Sequence, residues 1–114
     1  MLKKTVLRRK SDFSVIYNKG KSVGERYVVL FFRKNGRLYN RTAFLASKKV
    51  GNSVVRNRAR RLMKESYKEI NEDMAMGYDI IFIARNTICN MKCADVKKSM
   101  EAAIKKAGVF ERKL

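Results

Sequence analysis

Apolar residues along this chain recur with two periods, and the change from one to the other marks the elements. Phe13, Ile16 and Tyr17 share one helical face. Ser11 is an expected N-cap, followed by Asp12, whose charge suits a helix start. Gly20 is an expected left-handed stop for this short helix. Residues 26–34 are β-branched and aromatic with little polar interruption, and they predict a strand. Asn35-Gly36 is a hairpin signal, which predicts a return strand over about 42–47. A weaker strand is expected at 21–23.

Gly51-Asn52 breaks the chain and Ser53 is placed to cap a second helix. From 54 to about 71 the period is helical. Val55, Ala59, Leu62, Met63, Ser66 and Ile70 fall on one side, and Arg56, Asn57, Arg60, Arg61, Lys64 and Lys68 on the other, with Arg58 at the margin. Residues 78–84, with their Ile-Ile-Phe-Ile run, predict a strand buried on both faces. A last helix is expected over about 94–107, with Val96, Met100, Ala103, Ile104 and Ala107 as its stripe and Gly108 as its stop. A sheet with helices packed on it is the economical solution, and the basic helix must cross part of it between two strands.

The chain has 114 residues, which fits one domain spanning 1–114. The first ten residues carry Lys3, Lys4, Arg8, Arg9 and Lys10 with little pattern and are expected to be a flexible basic arm. Charge changes the picture most: 28 Lys and Arg stand against 10 Asp and Glu, a net +18. Between Asp12 and Glu65 the only acid is Glu25. Such an excess points to a polyanion or an anionic membrane surface as partner. The longest apolar run, 27–32, is far short of the roughly 20 residues of a membrane span, and the basic start leads into no apolar signal segment, so a cytoplasmic protein is expected.

The chain contains no His, which removes Ser-His and Cys-His nucleophiles and imidazole metal sites. Cys89 and Cys93 are too few to close a zinc site and are expected to be free thiols. Asp12, Asp79 and Asp95 are scattered, with expected roles in a cap, a strand edge and a helix start, so a two-metal nuclease centre is not expected.

The densest chemistry lies in Lys48-Lys49-Val50-Gly51-Asn52-Ser53-Val54-Val55-Arg56-Asn57-Arg58-Ala59-Arg60-Arg61. Arg56, Arg60 and Lys64 stack at i, i+4, i+8, with Asn57 and Arg61 in a second row. Guanidinium groups bind phosphate by paired hydrogen bonds, and Asn reaches a sugar hydroxyl or a base edge. The turn at Gly51-Asn52 feeds a helix N-terminus, whose N–H groups suit a phosphate. A solvated basic face is the bland alternative, and the density of Arg without acids argues against it. A membrane-surface helix is disfavoured because small Ala59 and Ser66 on its apolar side are sized for packing on a sheet.

That run, with its Arg56-Asn57-Arg58 core, closely resembles the signature of the protein-subunit family of bacterial ribonuclease P. Asp12-Phe13, Tyr17, Gly20, Ser22-Val23 and Arg26 resemble the family's opening helix and first strand, and residues 77–85 resemble its last strand. The resemblance covers about 5–107. Asn86-Thr87 stands where the family frequently has a proline.

The resemblance implies an α+β fold: a two-layer α-β sandwich in αβββαβα order, with about four strands and a left-handed β-α-β crossover. It implies a subunit of the enzyme that removes the 5′ leader of precursor transfer RNA, catalysis being carried by the RNA subunit with magnesium ions. Lys48, Lys49, Asn52, Arg56, Asn57, Arg58, Arg60, Arg61 and Lys64 would then face the ribonuclease P RNA. Phe13, Tyr17 and Arg26 would hold the single-stranded leader in a cleft, with Lys3, Lys4, Arg8 and Arg9 beside it. Flat rings at i, i+4 stack on unpaired bases without demanding a sequence. No metal ligand is assignable and self-association is left open. The main rival reading is a ribosomal or ribosome-assembly RNA-binding protein, which needs no leader cleft.

Overall fold

The computed structural model describes residues 4–110. Lys3 and the other residues of 1–3 and 111–114 lie outside the described residues. The order is α1 (Lys10–Lys19), β1 (Lys21–Gly24), β2 (Val28–Lys34), β3 (Arg41–Leu45), α2 (Ser53–Ile70), β4 (Tyr78–Ala84) and α3 (Cys93–Ala107). Single 3-10 turns at Asn71–Asp73 and Asn86–Ile88 flank β4. This is an α+β fold with three helices and one four-stranded mixed sheet.

The strands lie in the order β1-β2-β4-β3. β4 is antiparallel to β2 and parallel to β3. The hairpin expected at Asn35-Gly36 is therefore corrected: the chain turns there, with Gly36 at φ +73°, but β4 lies between β2 and β3. Burial gives the reason. β4 is closed off on both faces, with Ile80, Ile81 and Phe82 fully buried, so it belongs in the middle of the sheet rather than at an edge. The Asn35 amide spans the displaced turn, donating to Tyr39 O and Asp79 Oδ1 and accepting from Arg37 N.

One face of the sheet carries Val28, Leu30, Phe32, Ile80 and Phe82 and packs under Ala59, Met63, Tyr67 and Ile70 of α2 and Val96, Met100 and Ile104 of α3. The other face carries Ala43 and Ile81 and is covered only in part, by Ile16 of α1 and by Leu7. The sheet and the α2–α3 layer form the sandwich, with α1 laid across part of the opposite side.

The register fixes the hand of the β3–α2–β4 crossover. Even-numbered β4 residues face α2, and odd-numbered backbone groups bond to the β2 side, as Gly77 O accepts from Asn35 N and Arg85 N donates to Tyr27 O. When an L-peptide strand runs upward with a side chain toward the viewer, that residue's N–H and C=O point right. Seen from α2, β2 thus lies left of β4 and β3 lies right. The chain rises in β3, returns in front through α2, and rises again to the left in β4. This is a left-handed crossover, against the usual rule.

Three local expectations are corrected. The basic arm is tied down over residues 5–7: Leu7 N donates to Thr42 O, Thr42 N donates to Thr5 O, and Leu7 is only 4% exposed. An unpaired β3 edge and an apolar slot for Leu7 outweigh the charge that marked this segment as loose. Helix α1 starts at Lys10 with Arg9 as its uncapped N-terminal residue, so Ser11 lies inside the first turn and caps nothing. Gly20 is extended (φ −84°, ψ −172°) rather than left-handed. A Cβ there would stand 2.5 Å from Ile16 O and 2.6 Å from Phe32 O, so close backbone approach is what requires glycine. Gly108, by contrast, is the left-handed stop expected for α3.

Candidate nucleic-acid interface

Helix α2 is set by its first turn. Asn52, not Ser53, is the N-cap: its Oδ1 accepts from Val55 N at 3.1 Å. Ser53 instead accepts from the Arg56 guanidinium at 3.2 Å. Gly51 has φ +153°, and a Cβ there would meet the Val55 side chain at 2.9 Å. Downstream, Ala59, Met63, Ser66, Tyr67 and Ile70 are buried, which anchors the helix and turns the basic residues outward.

Asn52, Asn57, Arg58, Arg61 and Lys64 are exposed, and Arg56 and Arg60 are half-buried. Lys48 and Lys49 are exposed on the loop leading in. The guanidinium of Arg60 donates to Asn57 Oδ1. Arg58 donates to Met91 O at 3.0 Å and so holds the loop before α3. The five ion pairs among the described residues use Arg41, Lys68, Lys97 and Lys106 as cations. None of the cations from Lys48 to Lys64 is among them. The face is therefore an uncompensated array of positive charge.

A second feature lies on the opposite side of the sheet. Phe13 and Tyr17 have ring centroids 6.3 Å apart, and Tyr17 meets Phe31 edge-on at 5.0 Å. Tyr17 is 40% exposed, and Phe13 and Phe31 are half-buried. Sequence periodicity could not sort Phe31 from Phe32, since every residue from 27 to 32 is apolar. The register does so: Phe32 points to the core and Phe31 to α1. Arg26 is not brought to this patch. It stacks on Tyr27 at 5.9 Å, and its carbonyl accepts from Thr87 Oγ1. It lines a separate cavity with Lys98 and Ser99 of α3.

The two features communicate along the outer edge of β3. A groove of about 460 Å³ there is lined by Phe13, Phe44, Leu45, Lys64, Tyr67 and Lys68. It runs from an aromatic of α1 to the last cation row of α2.

Asp12 and Asp79 are less scattered than their sequence positions imply. Arg41 binds Asp79 with two bonds of 2.8 and 2.7 Å and Asp12 with one of 3.4 Å. The Asp79 hydrogen bonds raise the Arg41 pKa, against the opposing effect of burial. Asp95 accepts from Lys92 N at the start of α3, as its helix-start role required. Cys89 and Cys93 are both free thiols. Among the described residues no three His, Cys, Asp or Glu side chains converge to hold a metal. Asp12 and Asp79 are held by Arg41, Asp95 caps α3, and Glu25, Glu65 and Glu69 pair with lysines. Among the described residues no helix is long and apolar enough to cross a membrane.

A small α+β scaffold that exposes an Arg-Asn helix without ion pairs among the described residues on one side and aromatic rings on the other is a nucleic-acid-binding protein by its chemistry. The Ribonuclease P family model matches residues 1–108. A ribonuclease P protein component from Caldanaerobacter subterraneus is 39% identical over 111 residues, covering 97% of this chain and 96% of the relative. One from Clostridium botulinum is 41% identical, covering 96% and 99%. The ribonuclease P protein of Staphylococcus aureus superposes with a TM-score of 0.85 at 34% identity, covering 96% of this chain and all of that one. That of Thermotoga maritima gives 0.77 at 29% identity, covering 84% and 91%. The chain belongs to the ribonuclease P protein family. It is an RNA-binding component of an endoribonuclease ribonucleoprotein of tRNA processing.

Proposed function

We propose that the α2 face docks on the catalytic RNA of ribonuclease P, while Phe13 and Tyr17, joined by Phe31, stack on the single-stranded 5′ leader of precursor transfer RNA. The observation that carries this reading is the β3-edge groove, which connects Phe13 to Lys64 and so joins a stacking surface to a phosphate-binding one. Arg56, Asn57, Arg60, Arg61 and Lys64, with Lys48 and Lys49, neutralise phosphates of the RNA. Arg58 and Asn52 act mainly by holding α2 and its neighbouring loop in place.

Catalysis and the magnesium ions it needs belong to the RNA partner, and no step passes through a carboxylate of this chain. The leader contacts exist in the precursor and are lost in the product. They therefore favour substrate over mature transfer RNA, which is differential binding applied to turnover. The setting is the cytoplasm.

The experiment is cleavage of end-labelled precursor transfer RNA at low magnesium, with a bacterial ribonuclease P RNA alone, the protein alone, and the two together. Cleavage at the mature 5′ end only in the mixture is the expected result. Tight RNA binding without stimulation would favour the ribosome-type binder. In a companion assay, Phe13→Ala with Tyr17→Ala is expected to weaken precursor binding and leave mature transfer RNA unchanged. An equal loss for both would remove the leader role.

A further inference from the structure

Where α1 ends, the chain gathers four cations from three elements. The helix stops at Lys19, Gly20 turns the chain, and β1 opens with Lys21. The register sets Lys21 beside Phe32 near the end of β2, and Arg33 and Lys34 follow beside Asp79 and Tyr78 of β4. Lys19, Lys21, Arg33 and Lys34 line a cavity of about 290 Å³ there, and Phe32, Tyr78 and Ala107 of α3 form its apolar side. Arg33 and Tyr78 are half-buried, whereas the three lysines form an exposed rim.

Among the described residues no carboxylate lines this cavity. The acid opposite Arg33 in the register, Asp79, is held by Arg41 through bonds of 2.8 and 2.7 Å. Lys19, Lys21, Arg33 and Lys34 take part in none of the five ion pairs among the described residues. Helices α1 and α3 both end here, but a helix C-terminus carries only about half a negative charge. Two such ends offset about one of the four positive charges. Cations so placed repel one another, and a compact polyanion relieves that repulsion.

The apolar side tells what kind of polyanion. The Tyr78 ring lies 6.4 Å from that of Phe32, and Phe32 is only 8% exposed, so the core backs Tyr78 from behind. The small side chain of Ala107 leaves the space in front open. An inorganic phosphate would use the cations and leave that wall wet, whereas a flat ring carrying phosphates uses both. The volume sits at the lower end of small-molecule sites, which start at about 300 Å³, and suits one nucleotide rather than a run of them. We propose that this cavity binds a free nucleoside polyphosphate, with its phosphates on Lys19, Lys21, Arg33 and Lys34 and its base against Tyr78. The site uses neither the α2 face nor Phe13 and Tyr17, so its failure would leave the RNA and leader reading standing.

The test uses the full chain with ATP and inorganic tripolyphosphate as probes. ATP is expected to shift the backbone amide resonances of Lys21, Lys34 and Tyr78. By calorimetry it should bind about fivefold tighter than tripolyphosphate, the difference being the stacked base. Lys21→Ala with Lys34→Ala, both exposed side chains, should weaken ATP about tenfold, with the fold checked by circular dichroism. Ala107→Leu, which fills the cavity without changing its charge, should weaken ATP to a similar degree. Arg56→Ala, Arg60→Ala and Arg61→Ala together should leave ATP binding as it is. Shifts confined to α2, or an Ala107→Leu variant that binds ATP normally, overturn the proposal. Equal affinity for ATP and tripolyphosphate would mean an oligophosphate site and overturns the nucleoside assignment. A short RNA with a 5′-triphosphate that shifts these resonances where ATP does not would overturn the free-nucleotide assignment.

Discussion

Arg58 is the residue of the Arg-Asn-Arg signature whose guanidinium reaches out of α2 to another segment, donating to Met91 O. Arg61, three positions on, is exposed and makes no ion pair among the described residues. The two should separate in thermal melts. Arg58→Ala is expected to cost up to about 1 kcal/mol of stability through the lost hydrogen bond, whereas Arg61→Ala leaves the melting temperature unchanged and weakens RNA binding alone. Equal melting temperatures for the two would show that the Met91 contact holds nothing.

Tyr67 is a different case. Its hydroxyl is buried with no hydrogen-bond partner among the described residues, since the adjacent Asn40 amide is already bonded to Ala75 O and Tyr78 N. Burial pushes its pKa from 10.0 up to about 12. The folded state thus favours neutral Tyr67, a contribution present below pH 10 and lost as pH rises through about 12. Tyr67 should be the last tyrosine to ionise in an absorbance titration, and Tyr67→Phe should move alkaline unfolding to higher pH. An unchanged unfolding profile would refute this.

At the scale of elements, α1 shows how a correct helix can carry wrong reasons. Its apolar face was readable from the spacing of Phe13, Ile16 and Tyr17, yet neither boundary signal acts as its residue type implied. Ser11 does not cap it, and Gly20 is glycine because two carbonyls close in on it. Gly20→Ala is expected to cost about 2 kcal/mol, as overpacking against backbone does. It should also impair leader binding more than binding to the catalytic RNA, because α1 carries the aromatics and α2 does not. Chemical denaturation and two binding titrations would check this, and an unchanged midpoint would sink it.

The 3.6-residue periods of α2 and α3 were legible because each helix buries one stripe and exposes the rest. The Asn35-Gly36 signal misled because a turn specifies a reversal of direction, not which strand fills the space beside β2.

For the whole molecule, the net +18 includes six cations between Lys48 and Arg61 with no acid among them. If the α2 face meets about six phosphates, affinity for ribonuclease P RNA should fall with a log-log salt slope of about −4. Arg56→Ala, Arg60→Ala and Arg61→Ala together should flatten it by about 2. A slope unaffected by those changes would move the RNA interface elsewhere.

The sequence by itself determined the charge, the helical and strand periods and the Arg-Asn-Arg array, because each depends on residues near one another along the chain. Only the tertiary structure decided that β4 intervenes between β2 and β3, that Phe31 rather than Phe32 joins Phe13 and Tyr17, and that Arg26 stands apart from them. It also drew Asp12 and Asp79 onto one guanidinium and pinned the basic N-terminal segment along β3. These outcomes turn on which surfaces compete for the middle of the sheet, a contest between residues tens of positions apart that no local pattern records.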